Sequence, residues 1–352
     1  MNRLPRVIYL LPVNRIGGVE IAALSISSIL SSRFTVHLRY MAQPNSYPFI
    51  PFIVFIGLPL NILVCALRLI RNPPDLLIVS LWRPTLVALL VLIFRRKLNV
   101  VLFLHSPRDM HFLDCCVTRV LSYLCTEIWA DCNFTIKHRL PTCSCGISRI
   151  ISFIPRNIVP LPDKPPSPVF IFWGRLASIK NLSRTLDLFS LIRAYHLNSR
   201  LLLIGPFDND ADVLKTKILH LGLEGCVQLL GPMDFNQIRL QALQASFYIQ
   251  TSLSEGMAMS VVEAMQLGLV PVVTPVGEIP SYCKQNHNAI LIDQDNLTAA
   301  HKVNYLLSNP SSYTLMKESA KLTFKGLPSY KDSISDAIRN CLFRLQMIHL
   351  NG

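Results

Sequence analysis

The chain has 352 residues, of which 51% are hydrophobic and 16% charged, and its formal net charge is +13. This length and apolar content exclude a disordered chain and a small disulfide-stapled domain, and they allow two domains with separate cores. Residues 1–160 hold 17 Lys and Arg against 6 Asp and Glu, a net +11, whereas residues 161–352 hold 17 against 15, a net +2, so an anionic partner is expected for the first half only.

The first half predicts alternating strands and helices. Apolar runs predict β-strands at residues 7–13, 34–40, 76–80, 100–105 and 128–130. After the first strand come Gly17 and Gly18 and then the apolar periodicity of a helix over residues 19–32. Such alternation predicts parallel βαβ units with helices on both faces of the sheet. The run 7–13 is short and lacks a small-residue cleavage site, so it is interpreted as a strand rather than a secretory signal.

Residues 40–67 carry no charge, which raises the question of a membrane span. Four prolines, with Gly57 and Asn61, interrupt this stretch, and a span needs about 20 mainly apolar residues. A span is therefore disfavoured, although insertion of this segment stays open. The arginines of the basic half are scattered and not interleaved with aromatic residues, which favours an anionic membrane surface over nucleic acid as the partner.

Ten cysteines occur in the chain, six of them between residues 115 and 145 without the paired spacing of a zinc site. The favoured interpretation is reduced thiols that serve as small apolar residues in a cytoplasmic protein. With the basic first half, this indicates a protein at the inner face of the plasma membrane, bound peripherally.

Residues 155–168 contain six prolines, which predicts a stiff extended linker between domains at 1–158 and 159–330. After it the pattern restarts, with strands predicted at 169–173, 200–205, 226–231, 247–252, 270–274 and 289–292. Helices are predicted near 182–196, 212–221, 260–267 and 297–307. Residues 331–352 form an amphipathic helix that is expected to pack back on the first domain. Ligands of open α/β sheets bind beyond the carboxyl ends of strands, so the chemistry is expected there.

Two cations follow the first strand of the second half, in the sequence FWGRLASIKN. Arg175 and Lys180 lie five residues apart in a loop before a helix. Arg binds a phosphate through its fork of donors and Lys as a point charge, so the pair suits a diphosphate. The alternative is two solvated loop cations.

Two carboxylates bracket the start of a later helix, in the sequence SLSEGMAMSVVEAMQLG. Glu255 lies in a loop and Glu263 in the first turns of the helix. Between them Gly256 allows a tight turn, and the backbone amides near Met259–Val261 would attract a phosphate at the helix N-terminus. The donor-binding residues predicted in this segment are Gly256, Met257, Ala258, Met259 and Ser260. Carboxylates suit sugar hydroxyls. The alternative is a helix-start glutamate and a surface glutamate.

Asp208 and Asp210 have the spacing of a metal-binding pair, DND. They follow the predicted strand 200–205 in a turn-rich stretch, and a solvated loop is the favoured interpretation. Because Arg175, Lys180 and a helix N-terminus can neutralise a diphosphate, no metal and no cofactor are expected.

Together these residues resemble the family 4 retaining glycosyltransferases, whose GT-B fold has two Rossmann-like domains facing across a cleft. The resemblance covers GRLASIK, LLIG, VQLLG, EGMAMSVVEAMQLGLVPVVTPVGEIPS and NAILI in that order. It implies that Arg175 and Lys180 bind the donor diphosphate. It also implies that Glu255 contacts the transferred sugar and Glu263 the ribose.

The first half resembles the family more weakly. NRIGGVE resembles the family's glycine loop, which implies that Gly17 and Gly18 approach the donor phosphates. In FLHSPRDM, His105 ends a strand where the family often has a histidine that contacts the donor sugar, although a lone histidine after an apolar strand is usually structural.

The resemblance implies transfer of a hexosyl group from a UDP- or GDP-sugar to a hydroxyl of a lipid-linked saccharide, by front-face attack with retention. The expected setting is bacterial surface polysaccharide synthesis, such as lipopolysaccharide and O-antigen. Two alternatives stay open: a nucleotide-sugar 2-epimerase of the same fold, and a catalytically silent scaffold. The presence of Arg175, Lys180, Glu255 and Glu263 together argues against the silent protein.

Overall fold

The computed structural model describes residues 3–13, 23, 26, 34–42, 51–140, 146–152, 154, 158–207, 211–293 and 295–351. The chain divides into two compact units. Unit 1 comprises Met1–Phe153 and Pro328–Gly352, and unit 2 comprises Ile154–Leu327. The sequence analysis puts the boundary after residue 158, a few residues later than the observed division.

Unit 1 contains a six-stranded parallel sheet in the order β2-β1-β3-β4-β5-β6. Its strands are β1 (Arg6–Val13), β2 (Thr35–Ala42), β3 (Leu76–Ser80), β4 (Val100–Leu104), β5 (Glu127–Ala130) and β6 (Ser148–Ile150). Every residue of β3, β4 and β5 is buried, because helices cover the sheet. The short strand β6 is absent from the sequence prediction. It has exposed residues and no apolar run to mark it.

The described helices of unit 1 are α1 (Pro51–Arg71), α2 (Trp82–Phe94), α3 (Phe112–Leu124), α4 (Asn133–Arg139) and α12 (Tyr330–Asn351). The connections from β2 through β5 all step in one direction along the sheet, and right-handed crossovers therefore put α1, α2 and α3 on one face. Their inward residues Ile62, Val87 and Leu121 share one core cluster with Leu77 and Leu102 of the sheet. Within the predicted helix 19–32, Ala23 and Ile26 are helical and buried.

Helix α1 runs through Gly57 and Pro59, which the sequence analysis treats as interruptions. An interior proline costs a helix about 3 kcal/mol. The inward residues Ile62, Ala66 and Leu69 are buried against the sheet, and this burial offsets the cost. Among the helices that the structure describes, none combines the length and the apolar character needed to cross a bilayer.

Unit 2 contains a second six-stranded parallel sheet, in the order β12-β11-β10-β7-β8-β9. Its strands are β7 (Val169–Trp173), β8 (Arg200–Ile204), β9 (Val227–Leu229), β10 (Phe247–Gln250), β11 (Val270–Val273) and β12 (Ile290–Leu291). Its helices are α5 (Leu182–Tyr195), α6 (Ala211–His220), α7 (Phe235–Ala242), α8 (Met259–Leu267), α9 (Ile279–Tyr282), α10 (Asn296–Ser308) and α11 (Pro310–Leu322).

Within the proline-rich segment, residues 158–168 pack on the body of unit 2. Leu161 donates its backbone N–H to the carbonyl of Leu267 at 2.9 Å, and Lys164 donates to the carbonyl of Leu243 at 2.7 Å. Prolines remove backbone donors from this segment, so its remaining polar groups take partners from the body of the unit.

The last helix, α12, belongs to unit 1. Ser333 accepts a hydrogen bond from the backbone N–H of Ser152 at 3.0 Å, and Arg344 pairs with the fully buried Glu127 of β5. Trp129 also donates to Glu127, at 2.6 Å. Arg149 of β6 lies 3.5 Å from the same carboxylate, so Glu127 has two cationic partners and one neutral donor, and α12 supplies one of the cations.

Candidate active site

The loops after β7 and β8 meet at two glycines in unit 2. A Cβ on Gly205 would lie 1.8 Å from the carbonyl oxygen of Gly174, closer than any atoms can approach. Gly174 in turn donates its N–H to the carbonyl of Ile204 at 3.0 Å. This close approach fixes the backbone from which the segment 174–181 departs.

Lys180 and Glu255 form an ion pair in unit 2, although they are 75 residues apart in sequence. The distance from Lys180 Nζ to Glu255 Oε1 is 2.6 Å, and the two side chains are 17% and 10% exposed. Gln250 at the end of β10 donates to the same carboxylate oxygen at 3.1 Å. The loop itself is tied to the Lys180 segment, because Leu253 donates its N–H to the carbonyl of Ile179 at 2.9 Å.

Gly277 supports the Glu255 loop from the segment that follows the neighbouring strand β11. Its φ is +64°, and a Cβ there would lie 2.2 Å from the carbonyl oxygen of Glu255. The next residue, Glu278, donates its N–H to the carbonyl of Gly256 at 3.0 Å. Any larger residue at position 277 would displace the backbone that carries Glu255.

Helix α8 begins beside this loop without a side-chain cap. Its N-cap residue Ala258 has φ 55° and ψ 64°, and no side chain caps it within the described chain. A non-glycine residue in this left-handed conformation stores strain, and such strain is common at functional sites. Uncapped N–H groups and the helix dipole make such a terminus suitable for an anion.

A buried hydroxyl cluster joins the start of α8 to β10. Tyr248 donates to Gln250 Oε1 at 2.7 Å, and it lies 2.8 Å from Ser260 Oγ and packs edge-on against Trp173. Ser260 also donates to Gln250 Oε1, at 3.1 Å. The amide of Gln250 is thereby oriented so that its nitrogen faces Glu255.

Glu263 of α8 is held by Trp173 at the end of β7. Trp173 Nε1 donates to Glu263 Oε2 at 2.8 Å. Burial raises the pKa of Glu263 to about 7, and the hydrogen bond from Trp173 lowers it in part. The net effect is a raised pKa, because desolvation destabilises the carboxylate more than the single hydrogen bond from Trp173 stabilises it. Near neutral pH this group therefore exists in both protonation states.

Arg175 is exposed in the loop after β7, and it makes no hydrogen bond or ion pair within the part of the chain that the structure describes. Met257 accepts a hydrogen bond on its carbonyl from Tyr282 at 2.7 Å, and Met259 is the first residue of α8. Of the predicted donor-binding residues, unit 2 thus brings Lys180 and Glu255 into contact. Arg175 stays solvent-accessible.

His105 lies in unit 1, immediately after β4. Its Nε2 is 2.9 Å from Ser80 Oγ and 3.4 Å from the hydroxyl of Tyr9, and its ring packs on Phe103. Burial lowers the pKa of His105 to about 3, so its imidazole is neutral at physiological pH. The histidine can therefore serve as a hydrogen-bonding group but not as a cation.

Four residues of the sequence analysis lie outside the described residues: Gly17, Gly18, Asp208 and Asp210. Their roles stay predictions, as does the expectation that no metal is needed.

Four further residues of this site have no role that was predicted from the sequence: Gln250, Tyr248, Trp173 and Gly277. One signal was available for the first two: β10 reads FYIQ, and two polar groups at alternate positions of a fully buried strand need partners. Trp173 and Gly277 lie inside the quoted motifs, but their partners are far away in sequence.

The sequence of unit 2 is similar to a known family. Residues 154–323, just under half of the chain, match the family described as Glycosyl transferases group 1. Curated relatives include a GDP-mannose:cellobiosyl-diphosphopolyprenol alpha-mannosyltransferase of Komagataeibacter xylinus, 29% identical over 137 residues, and one of Xanthomonas campestris, 31% identical over 139 residues. Each match covers 38% of this chain and only 35% or 36% of the relative.

Solved structures share the fold over nearly the whole chain. Sucrose-phosphate synthase from Thermosynechococcus elongatus gives a TM-score of 0.77 at 13% identity, with 99% of this chain and 98% of that chain covered. Anabaena HepE in complex with UDP-glucose gives 0.75 at 15% identity, covering 97% and 100%. The predicted GT-B fold class is confirmed, and the similarities support a group 1 glycosyltransferase enzyme.

Proposed function

We propose that this protein transfers a hexosyl group from a UDP- or GDP-sugar to a hydroxyl of a lipid-linked saccharide, with retention of anomeric configuration. The observation that carries the proposal is the Lys180–Glu255 ion pair beside the uncapped start of α8. A cation and a helix N-terminus suit a diphosphate, and a carboxylate suits sugar hydroxyls. A site with all three suits a sugar diphosphate.

Donor binding exchanges partners within this site. In the free protein Lys180 and Glu255 neutralise each other at 2.6 Å. The incoming diphosphate takes Lys180, and the released Glu255 accepts hydrogen bonds from the transferred sugar. Gln250, fixed by Tyr248 and Ser260, keeps Glu255 in place during the exchange.

Glu263 binds the ribose in this proposal. Trp173 occupies one carboxylate oxygen, which leaves the other for the ribose hydroxyls. A carboxylate accepts such bonds more strongly than a carboxylic acid, so ribose binding favours the ionised form.

The protein accelerates transfer by positioning and electrostatics. Lys180, Arg175 and the start of α8 stabilise the negative charge that grows on the departing nucleotide. The departing phosphate oxygen takes the proton of the acceptor hydroxyl as the new glycosidic bond forms on the same face. His105 contributes a neutral hydrogen bond to the donor sugar.

We propose no metal in this mechanism, and we expect turnover to survive excess EDTA. Loss of turnover that manganese or magnesium restores would contradict this and implicate Asp208 and Asp210.

The acceptor and the setting extend the proposal. The named relatives act on a polyprenol-linked saccharide, which supports a lipid-linked acceptor here. With the net charge of +11 over residues 1–160, we place the enzyme at the anionic inner face of the plasma membrane. Bacterial surface polysaccharide, including lipopolysaccharide and O-antigen, is the product class that we propose.

A screen of nucleotide sugars tests the proposal. Purified protein is titrated by calorimetry with GDP-mannose, UDP-glucose and related donors, and slow hydrolysis is followed without acceptor. We expect one donor to bind and release its nucleotide, and Lys180→Ala to abolish the release. Conversion of the donor to its 2-epimer would contradict transfer. Binding without turnover, even with polyprenol-linked acceptors, would indicate a scaffold.

A further inference from the structure

Helix α3 of unit 1 has its apolar side toward solvent. Phe112, Leu113, Val120, Tyr123 and Leu124 recur at helical spacing, and each is between 47% and 84% exposed. The side that faces the sheet carries Asp114, Thr118 and Ser122 beside Val117 and Leu121. An ordinary surface helix has the opposite arrangement.

The polar side chains on the buried side of α3 have hydrogen-bond and ion-pair partners within unit 1. Asp114 pairs with Arg139 of α4 at 2.6 Å and accepts a hydrogen bond from Thr118 at 3.1 Å. Asp114 also accepts from the backbone N–H of Met110 at 2.8 Å. A buried charge needs such partners, so this network fixes the rotation of the helix. The outward direction of the apolar side is therefore built into the fold.

The neighbouring helices continue this surface. Helix α2 packs between α1 and α3. Exposed apolar residues on α1 are Leu60, Leu63 and Leu67, and α2 ends with the exposed pair Ile93 and Phe94. We call the exposed apolar residues of α1, α2 and α3 the apolar face. Three adjacent helices with outward apolar residues exceed the scattered exposure that is normal for a soluble surface.

Cations border the apolar face. Arg95, Arg96 and Lys97 directly follow Phe94 and are exposed, and Arg68 and Arg71 end α1. Arg95 Nε donates to the carbonyl of Ile70 at 3.0 Å, which brings the ends of α1 and α2 together. In the sequence, neither 51–71 nor 82–99 contains Asp or Glu. We call these five cations the basic rim.

We propose that the apolar face docks into the interface of an anionic lipid bilayer, with the basic rim on the lipid phosphates. Apolar and aromatic side chains enter the boundary between headgroups and acyl chains, and Lys and Arg remain at headgroup level. A second copy of the chain would bring its own basic rim to the interface, and the segments 51–71 and 82–99 offer no carboxylate to pair with that rim, whereas anionic lipid phosphates do pair with it. This docking adds insertion to the electrostatic attraction in the proposed function, and it does not depend on the donor chemistry.

Vesicle sedimentation of the full chain tests the docking. Vesicles of phosphatidylcholine with phosphatidylglycerol should bind the protein more tightly than phosphatidylcholine alone. Part of the binding should persist in about 1 M NaCl, where the Debye length is about 3 Å. The double variant Phe112→Ser/Leu124→Ser should lower partitioning at high salt by at least about tenfold, because buried apolar area sets this part of the affinity. Arg96→Gln/Lys97→Gln should weaken binding about tenfold or more at low salt and leave it unchanged at high salt.

The matched control is Leu219→Ser/Leu315→Ser, two exposed leucines of unit 2 that should not affect partitioning. All of these positions are exposed, so thermal melting and nucleotide binding should match the wild type in every variant. Tyr123→Trp should give fluorescence that brominated lipids quench beyond the baseline of the three native tryptophans. Leu315→Trp should give none.

Complete release by salt, or equal partitioning of Phe112→Ser/Leu124→Ser and wild type, would overturn the docking. A dimer that forms without lipid and dissociates in this variant would also overturn the docking. The same holds for an acidic protein that binds the apolar face and the basic rim instead of vesicles.

Discussion

Helices α3 of unit 1 and α6 of unit 2 differ in the side that faces the core. Helix α6 buries the apolar residues Leu214 and Ile218, and its exposed side mixes Asp212, Lys215 and Thr216 with Val213 and Leu219. Helix α3 buries Asp114 and Thr118 and exposes Phe112 and other large apolar residues. The two units have the same layered architecture, so the difference is not a consequence of the fold. It indicates that the surface of unit 1 is adapted to an apolar partner.

The candidate site residues of the two units also differ, in the charge that they carry. Unit 2 holds an ion pair, Lys180–Glu255, and a carboxylate with a pKa near 7, Glu263. Unit 1 holds His105, which burial keeps neutral among hydroxyl groups. We propose that unit 2 supplies the charged contacts to the donor and that His105 of unit 1 supplies an uncharged one.

The largest effect on turnover is expected from loss of a cationic side chain that binds the diphosphate. Lys180→Ala and Arg175→Ala each remove a charge aimed at the departing nucleotide, so we expect kcat to fall by about 10²–10³-fold. Lys215→Ala, an exposed lysine of α6, is the matched control and should keep normal turnover. If both loop variants retained near-normal turnover, the cations would only be solvated, and unit 2 would lose its assignment as the donor unit.

Substitutions of the two glutamates of unit 2 should affect different measurements, transfer activity for Glu255 and nucleotide affinity for Glu263. Glu255→Gln should cripple transfer and leave the affinity for free UDP or GDP nearly unchanged. Glu263→Gln should weaken free nucleotide and sugar nucleotide alike. Loss of a charge-assisted bond costs about 1.5–3 kcal/mol, which is about ten- to a hundredfold in affinity. Calorimetry on both variants measures this. The reverse pattern would show that the sugar and ribose roles are exchanged.

The pKa of Glu263 predicts a pH dependence that belongs to unit 2. The ionised form binds ribose better, so affinity for the sugar nucleotide should rise about tenfold from pH 6 to pH 8 and then level off. Glu263→Gln should remove the rise. Trp173→Phe should move its midpoint upward, because the lost hydrogen bond lowers the pKa of Glu263. A midpoint near the ordinary value of a glutamate would contradict the burial argument.

The smallest effect is expected at unit 1. His105→Ala should leave free-nucleotide affinity within about twofold, because the proposed contact is with the sugar, and should reduce transfer by about tenfold, the value of one hydrogen bond. Between pH 5 and pH 8 the shape of the rate–pH profile should be the same in His105→Ala and in the wild type, since the pKa of His105 is about 3 and this residue does not titrate in that range. Binding assays beside rate–pH profiles measure both. Loss of nucleotide affinity in His105→Ala would end the division of roles between the units.

The alternation of strands and helices could be predicted because buried parallel strands are continuous apolar runs. The bounds of β3 and β7 agree with the prediction residue for residue. The donor-loop residues were predicted because their motifs are local in sequence. The prolines and Gly57 argue against a membrane span, and no helix that the structure describes is long and apolar enough to cross a bilayer. The sequence does not show the packing that lets α1 run through Gly57 and Pro59.

The sequence by itself determined the two α/β halves and the basic first half, and it pointed to Arg175, Lys180, Glu255 and Glu263 as candidates, because composition, periodicity and motif spacing are properties of neighbouring residues. Only the tertiary structure decided which side chains contact each other. The contact of Lys180 with Glu255 joins residues 75 positions apart, and that of Trp173 with Glu263 joins residues 90 apart. The outward rotation of α3 likewise depends on Arg139 of another helix. Contacts between distant segments depend on how the sheets and helices assemble, and no local pattern encodes them.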